Sequence, residues 1–173
     1  HLSIRRQRQM CIRDRHILAR EDSSITLLEH LRSTGMARVQ MPYGDTHLAD
    51  LPDGPLVLIA AGTGMGQMHS LIEHCRAAGF AHPVHLYWGA RRPEDFYELP
   101  HWAEWQQLDN LHLHQVVSDQ CGWQGRCGLL HEAVREDFPD LKALHVYASG
   151  SPAMVYATLD ALVEAGTVSY THL

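Results

Sequence analysis

An uncharged stretch that ends in alternating glycines constrains the fold of this chain more than any other feature. Leu56–Ala61 is apolar and partly β-branched, and Gly62, Gly64 and Gly66 follow it directly. Such a run is typical of a central parallel strand that is buried on both faces. The glycines let the backbone turn sharply and approach a ligand, and the next helix presents unpaired N–H groups. The pattern therefore predicts a strand, a pyrophosphate-binding turn and a helix.

The glycine pattern alone does not separate a nucleotide site from a turn that binds nothing. Met68 and His69 occupy the region where the third glycine of a G-x-G-x-x-G fingerprint would fall, and no GK[ST] sequence follows. Both interpretations stay open at this level.

Strand and helix patterns alternate four times along the chain. Helical patterns cover residues 67–78, 93–107, 129–138 and 152–164, and strand patterns follow Leu56–Ala61 at 83–88, 111–117 and 144–148. Ser151 is expected to begin the last helix, and Gly166 to end it. This alternation predicts an α/β fold with a doubly wound parallel sheet, in which ligands bind beyond the carboxyl ends of the strands.

Five sequence blocks carry a more specific signal. They are, in chain order, Met41-Pro-Tyr-Gly44, Leu58-Ile-Ala-Ala-Gly-Thr-Gly64, Tyr87-Trp-Gly-Ala-Arg91, Gly122-Trp-Gln-Gly-Arg-Cys-Gly128 and Val146-Tyr-Ala-Ser-Gly-Ser-Pro-Ala-Met154. Their order and spacing over about residues 16–166 resemble the nicotinamide-binding half of the ferredoxin reductase superfamily, especially its bacterial NAD(P)H-flavin reductases. The resemblance implies an oxidoreductase that binds NADH or NADPH and passes hydride to a flavin, FAD or FMN.

The resemblance implies cofactor-binding roles for ten residues. Those expected at the pyrophosphate, the nicotinamide and the Cys-Gly-x-x-x-Met motif are Gly62, Thr63, Gly64, Gly150, Ser151 and Met154. Those expected at the adenosine half are Gly89, Arg91, Ser118 and Trp123. No catalytic residue is assigned, because stacked cofactor rings exchange hydride while the protein orients them. A side chain at Gly64 is expected to block the pyrophosphate and leave the fold largely intact.

Two departures from the family pattern refine the expectation. Ser149 stands where ferredoxin reductases have a cysteine near the nicotinamide, which favours a flavin reductase. Asp119 follows Ser118 where NADPH-specific members commonly have arginine. An acid there would repel a 2′-phosphate, so NADH is slightly favoured.

The resemblance divides the sequence into four parts. Residues 1–15 and 168–173 look like translated sequencing-adapter sequence and are expected to be non-native; a basic arm for nucleic acid or a membrane surface is the alternative for 1–15. Residues 16–50 are expected to be a remnant of the flavin-binding β-barrel with its connection, and residues 51–167 the NAD(P)-binding domain. The barrel's Arg-x-Tyr-Ser/Thr motif does not occur in this sequence, so the chain alone is expected to have little reductase activity.

The composition of the 173 residues limits the class of protein. The formal net charge is -6, so nucleic acid is not an expected partner, and no apolar run is long enough for a membrane span. A hydrophobic share of 45% with 20% charged residues is ordinary for one globular domain. We expect a cytoplasmic protein whose partners are a nicotinamide dinucleotide and a flavin, with an electron acceptor protein as a further candidate.

The cysteines and histidines give no metal-binding pattern. The cysteines form no C-x-x-C pair and are expected to be free thiols; they are Cys11, Cys75, Cys121 and Cys127. His112 and His114 share one strand face, but no H-E-x-x-H sequence or Cys/His cluster occurs, so no metal site is expected.

Two alternatives to a flavin reductase stay open. One is the reductase component of an oxygenase or deoxysugar pathway, which would have an iron-sulfur partner domain. The other is a nucleotide-binding module without turnover.

Overall fold

A computed structural model describes residue 17, residues 21–38, residue 48, residues 50–166 and the backbone of residues 169–172. Its strands are β1 (Leu56–Ala61), β2 (Val84–Ala90), β3 (Leu111–Val117), β4 (Arg126–Cys127), β5 (His145–Ser149) and β6 (Ser169–His172). The helices are α1 (Asp22–Thr34), α2 (Met65–Ala77), α3 (Trp102–Trp105), α4 (Leu130–Asp137) and α5 (Pro152–Glu164). Short 3₁₀ turns cover Gly62–Gly64 and Pro93–Asp95.

The six described strands form one parallel sheet in the order β4-β3-β2-β1-β5-β6. From β1 the chain adds β2, β3 and β4 on one side, then crosses to place β5 and β6 on the other side. The order of the strands reverses between β1 and β5, so the predicted doubly wound fold is confirmed. A crevice opens at such a reversal, and ligands bind there in sheets of this type.

The central strand is buried because helices cover both of its faces. Leu56 and Leu58 pack on the α2 side of the sheet, whereas Val57 and Ile59 pack on the side of α4 and α5. All four side chains are fully buried, and each stabilises the fold by about 1.5–3 kcal/mol relative to an exposed position. This two-sided burial explains the uninterrupted apolar run in the sequence.

The predicted helix over residues 93–107 is wrong. The structure has the turn Pro93–Asp95 and the four-residue α3, and Phe96 between them is extended, with φ of -73° and ψ of 127°. Pro100 interrupts the segment because proline lacks an N–H group and disfavours helical geometry in the residue before it. The other predicted helices and the four predicted strands are present, with ends shifted by up to two residues.

Strands β4 and β6 were not predicted. A two-residue strand such as β4 is too short for any periodicity to show. The strand β6 lies within residues 168–173, for which no strand was expected, and it pairs with β5 through its backbone. Backbone pairing at a sheet edge needs no particular side chains.

Several expectations about the chain ends lie outside the described residues. These include residues 1–15 and the block Met41-Pro-Tyr-Gly44. The described part of the expected barrel remnant is mainly α1, which has no buried residue and exposes Ile25 and Leu27 by 40% and 41%. Among the described residues, no helix is both long enough and apolar enough to cross a membrane.

Candidate functional site

A cavity of about 1010 Å³ lies at the carboxyl ends of β1, β2, β3 and β5. It spans the crevice where the strand order reverses, which is the position that the fold predicts for a ligand. Seven of the ten predicted cofactor residues line it: Gly62, Thr63, Arg91, Ser118, Gly150, Ser151 and Met154. Gly64, Gly89 and Trp123 are not among its lining residues.

The turn after β1 forms one wall of the cavity. Gly62 has φ of +55°, a left-handed conformation that L side chains rarely adopt, so glycine is required here for conformation. Thr63 follows it and is exposed. The turn leads directly into α2. The Met65 N–H is bonded to the carbonyl oxygens of Gly62 and Thr63, and the N–H groups that follow in the first turn have no partner within the helix. An anion above Gly62 and Thr63 would meet the positive end of this helix.

Close packing leaves no room for a side chain at Gly64 or Gly89. A Cβ atom on Gly64 would lie 2.3 Å from the carbonyl oxygen of Ser149, and one on Gly89 would lie 2.6 Å from Cδ1 of Leu130. The turn after β1 therefore touches the backbone at the end of β5, with no room for a side chain between them. A side chain at Gly64 would therefore displace the backbone of Ser149, so its effect would not be confined to the ligand.

The opposite wall comes from the end of β5 and the first turn of α5. The Ser151 hydroxyl oxygen accepts a hydrogen bond from the Met154 backbone N–H at 3.4 Å, which confirms Ser151 as the N-cap. A Cβ atom on Gly150 would lie 2.4 Å from Cε of Met154 and 3.1 Å from Cβ of Ala61. Gly150 thus lets β1 and α5 close around the cavity.

Ser149 lies just beneath this wall. Its side chain is 3% exposed, and its hydroxyl donates a hydrogen bond to Oε1 of Gln67 in α2. The bond joins the end of β5 to α2, the helix that follows the turn after β1. At the position where the resemblance implied a cysteine, this chain therefore has a buried hydroxyl with a fixed partner.

A charged pair closes the β2–β3 side of the cavity. Nε of Arg91 donates to Oδ2 of Asp119 at 2.8 Å, and the Ser118 hydroxyl donates to Oδ1 of Asp119 at 2.6 Å. The hydrogen bond from Ser118 and the bond from Arg91 hold the pKa of the Asp119 carboxyl below its usual range. Asp119 is thus an ionised, oriented acceptor at the edge of the cavity.

Trp123, which was predicted for the adenosine half, and Arg126 in the same loop make contacts outside the cavity. The Trp123 indole N–H donates to the Arg126 carbonyl at 3.0 Å, and its ring lies 5.7 Å from that of Phe96. The Arg126 guanidinium binds Glu136 and Asp137, at 2.6 Å each. These contacts fix the loop before α4 rather than placing either side chain in the cavity.

No sequence pattern indicated that residues 95–100 would form part of the site. Asp95, Tyr97 and Glu98 line the cavity. The Tyr97 hydroxyl lies 3.4 Å from the Gly62 carbonyl oxygen, and its ring stands edge-on to Trp88 at 5.1 Å. Burial raises the pKa of the Tyr97 phenol to about 12. The incorrect helix assignment over this segment concealed its role.

The cysteines differ from the sequence-based expectation. Cys121 and Cys127 form a disulfide, with their Cα atoms 5.1 Å apart, so the prediction of free thiols is wrong for this pair. Cys75 is free and buried, and burial raises the pKa of its thiol to about 11. Cys11 lies outside the described residues. Sequence spacing alone could not have identified the pair.

The predicted histidine pair on β3 joins a stack with β2. His85 Nδ1 lies 3.5 Å from His114 Nε2, and the His85 ring stacks on His112 with centroids 4.5 Å apart. Burial, followed by the neighbouring His112 and His114, lowers the pKa of His85 to about 4. In the part of the chain that the structure describes, no three His, Cys, Asp or Glu side chains are arranged to hold a metal ion.

The fold and the cavity define a nucleotide-binding α/β domain, and comparison with known proteins gives its family. Residues 58–160 match the model of the oxidoreductase NAD-binding domain. The chain belongs to this family, the nicotinamide-binding half of the ferredoxin reductase superfamily, as the resemblance predicted.

Curated relatives and solved structures agree with that assignment. Protein RfbI of Salmonella typhimurium is 36% identical over 138 residues, which cover 78% of this chain and 41% of that protein. The NAD(P)H-flavin reductase of Vibrio harveyi is 36% identical over 124 residues, covering 69% of this chain and 52% of that enzyme. The Amycolatopsis cytochrome P450 reductase GcoB is 28% identical, with a TM-score of 0.69, over 80% of this chain and 45% of that structure. The chain spans about half the length of the curated relatives it matches.

Proposed function

We propose that this chain is the nicotinamide-binding part of an NAD(P)H-dependent flavin reductase. The observation that carries the proposal is the cavity at the reversal of strand order, which is lined by seven of the ten residues that the resemblance selected. The similarity to the flavin reductase of Vibrio harveyi supports the same activity. A cytoplasmic location is part of this proposal.

The residues present fit a bound dinucleotide. Gly62 and Thr63 would hold the pyrophosphate at the first turn of α2, where backbone N–H groups attract an anion. Gly150 and Met154 leave an uncharged wall for the nicotinamide ring, and the N-terminus of α5 lies beside it. Bound nicotinamide supplies the hydride to a flavin stacked against it, so this chain needs only to orient the ring and exclude water.

Asp119 supports a preference for NADH. It is ionised, and Ser118 and Arg91 fix its two oxygens at the cavity edge. A carboxylate held there can accept a hydrogen bond from a ribose 2′-hydroxyl but would repel a 2′-phosphate. Arg91 binds Asp119 through Nε, and Arg126 binds Glu136 and Asp137, so a 2′-phosphate would compete with carboxylates for both arginines.

The flavin is proposed to bind on a β-barrel of which residues 16–50 are the end, with residues 51–167 forming the NAD(P)-binding domain. The exposed apolar side chains of Ile25 and Leu27 on α1 support this assignment, since a neighbouring barrel would cover them. Residues 1–15 and 168–173 are proposed to be non-native. The chain alone should then oxidise NADH slowly even when FMN is added.

A second candidate is the reductase component of a deoxysugar or oxygenase system. The CDP-6-deoxy-L-threo-D-glycero-4-hexulose-3-dehydrase reductase of Yersinia pestis is 34% identical over 143 residues, covering 81% of this chain and 43% of that enzyme. That similarity favours the candidate over a binding module without turnover. An iron-sulfur domain in the full-length protein would distinguish it from a flavin reductase.

A pair of variants at Thr63 tests the proposed pyrophosphate site. Thr63 is exposed and lines the cavity, so replacing it should leave the fold intact. In Thr63→Glu the new carboxylate would stand about 5 Å from a phosphate, which costs roughly 1.5–3 kcal/mol near a protein surface and weakens NADH binding at least tenfold. Thr63→Gln has nearly the same shape without the charge and should bind within about threefold of the wild type.

The measurement is the dissociation constant of NADH for the three proteins at low ionic strength, with thermal unfolding as a check on the fold. Equal affinity for the Glu and Gln variants would place the pyrophosphate elsewhere and contradict the proposal.

A further inference from the structure

The disulfide Cys121–Cys127 closes a short loop beside the proposed dinucleotide cavity. The two cysteines are six residues apart and bracket the sequence Gly122-Trp-Gln-Gly-Arg126. Cys121 is exposed, and Cys127 is partly exposed. Solvent-borne thiols and disulfides can therefore reach the bond.

Both ends of this loop continue into the cavity wall. On one side, Cys127 pairs with Val117 of β3, and the next residue, Gly128, donates its N–H to the Val117 carbonyl at 3.0 Å and lines the cavity. On the other side, Asp119 lies two residues before Cys121 and binds Arg91. A change in the position of Cys121 would therefore also move Asp119, which with Arg91 borders the proposed adenosine half of the cavity.

The two ends of the loop are anchored differently. The Cys127 end is held by β4 and by the ion pairs from Arg126 to Glu136 and Asp137 at the end of α4. The disulfide joins Cys121 to that anchored end. Within the loop, the Trp123 ring folds over Gly125, where an added Cβ atom would come within 2.2 Å of the ring. The disulfide thus connects the exposed turn after β3 to β4 and, through the ion pairs of Arg126, to α4.

We propose that Cys121 and Cys127 form a reversible thiol–disulfide site that controls the order of the cavity wall at Ser118–Gly128 and, through it, the affinity for the dinucleotide. The part of this proposal that concerns affinity rests on the proposed function. Where thiols are kept reduced, a disulfide in an exposed loop is characteristic of redox sensing rather than of structural stabilisation.

The chemistry needs a disulfide oxidant such as oxidised glutathione. The exposed Cys121 thiolate attacks one sulfur of the glutathione disulfide, whose S–S bond breaks, and one glutathione thiolate leaves and takes up a proton. The Cys127 thiolate then attacks the Cys121 sulfur of the mixed disulfide and releases the second glutathione. Two electrons pass from the protein thiols to glutathione, and excess reduced glutathione reverses both steps.

The test compares the whole chain after equilibration in oxidising and in reducing glutathione buffers. Peptide mapping identifies the Cys121–Cys127 bond, and hydrogen exchange measures the order of residues 116–128 without any nucleotide. Titration with NADH then gives the affinity of each form. Cys121→Ser cannot form the bond and is the matched control, expected to behave as the reduced protein in both buffers.

The oxidised wild type should show slower exchange over residues 116–128 and about five- to tenfold tighter NADH binding than the reduced form. If the bond does not form in oxidising buffer, or forms without changing exchange or affinity, the proposal is overturned. If neither form binds NADH, the proposed function fails, and the exchange data alone decide whether the disulfide orders the wall.

Discussion

The close contact at Gly64 permits a sharp test of how the site is built. In Gly64→Ala the new Cβ atom would lie 2.3 Å from the Ser149 carbonyl oxygen and 2.5 Å from the Ser149 carbonyl carbon. Backbone atoms cannot rotate away as a flexible side chain can, so the turn after β1 must separate from the end of β5 by about 1 Å. Overpacking of this kind costs about 1–3 kcal/mol. The separation also stretches the hydrogen bond between Ser149 and Gln67.

Two other glycines provide controls for this experiment. Gly122 has open space around its added Cβ atom and no left-handed backbone, so Gly122→Ala should change the free energy of unfolding by less than about 0.5 kcal/mol. Gly62 also has open space but φ of +55°, so Gly62→Ala should cost about 1–2 kcal/mol through backbone strain alone.

The assay is urea unfolding of the four proteins followed by circular dichroism. We expect Gly64→Ala to lower the free energy of unfolding by about 2–3 kcal/mol, more than either control. If Gly64→Ala is as stable as Gly122→Ala, the contact between the two turns does not constrain the fold, and the packing role of Gly64 is refuted.

Three further predictions concern pH, cofactor choice and a buried hydrogen bond. The pKa of His85 is lowered to about 4 in the folded protein, so the unfolded chain binds more protons below pH 6.5. The free energy of unfolding should therefore fall by about 1–2 kcal/mol from pH 6.5 to pH 4, after allowance for the partial exposure of the ring to solvent. Urea denaturation across this pH range measures the fall, and His85→Gln should reduce it. Asp119→Arg should remove a repulsive carboxylate and release Arg91, so the NADPH dissociation constant should fall about tenfold relative to that of NADH; an unchanged ratio would contradict the role of Asp119. The buried Tyr87 hydroxyl donates a hydrogen bond to Asp137 at 2.6 Å, so Tyr87→Phe should lower the free energy of unfolding by about 1–3 kcal/mol, measured by chemical denaturation. An unchanged free energy of unfolding would mean that this hydrogen bond does not stabilise the fold.

The sequence predicted the structure best where a pattern of residues has a single physical explanation. The apolar run at β1 follows from burial on both faces, and Ser151 with Pro152 marks the start of α5 because cap and first-turn chemistry are local. Seven of the ten residues selected by the resemblance line one cavity because the ends of parallel strands meet at the same edge of the sheet.

The sequence did not predict features whose residue pattern has more than one physical explanation or depends on the path of a loop. Gly64 and Gly62 both look like residues that admit a ligand, yet one is required by contact with the β5 backbone and the other by a left-handed turn. The pairing of Cys121 with Cys127 depends on the path of the loop, which spacing does not specify. The segment around Tyr97 carries helix-start signals, but Pro100 and packing against Trp88 give it an irregular path along the cavity.

The most direct test of the central claim is titration of the wild-type chain with NADH, with AMP as a competitor for the adenosine half. We expect saturable binding of one NADH per chain, weakened at least tenfold in Thr63→Glu and within about threefold of wild type in Thr63→Gln. Absence of saturable binding by a folded wild-type chain, or binding that is insensitive to the charge at Thr63, would contradict it.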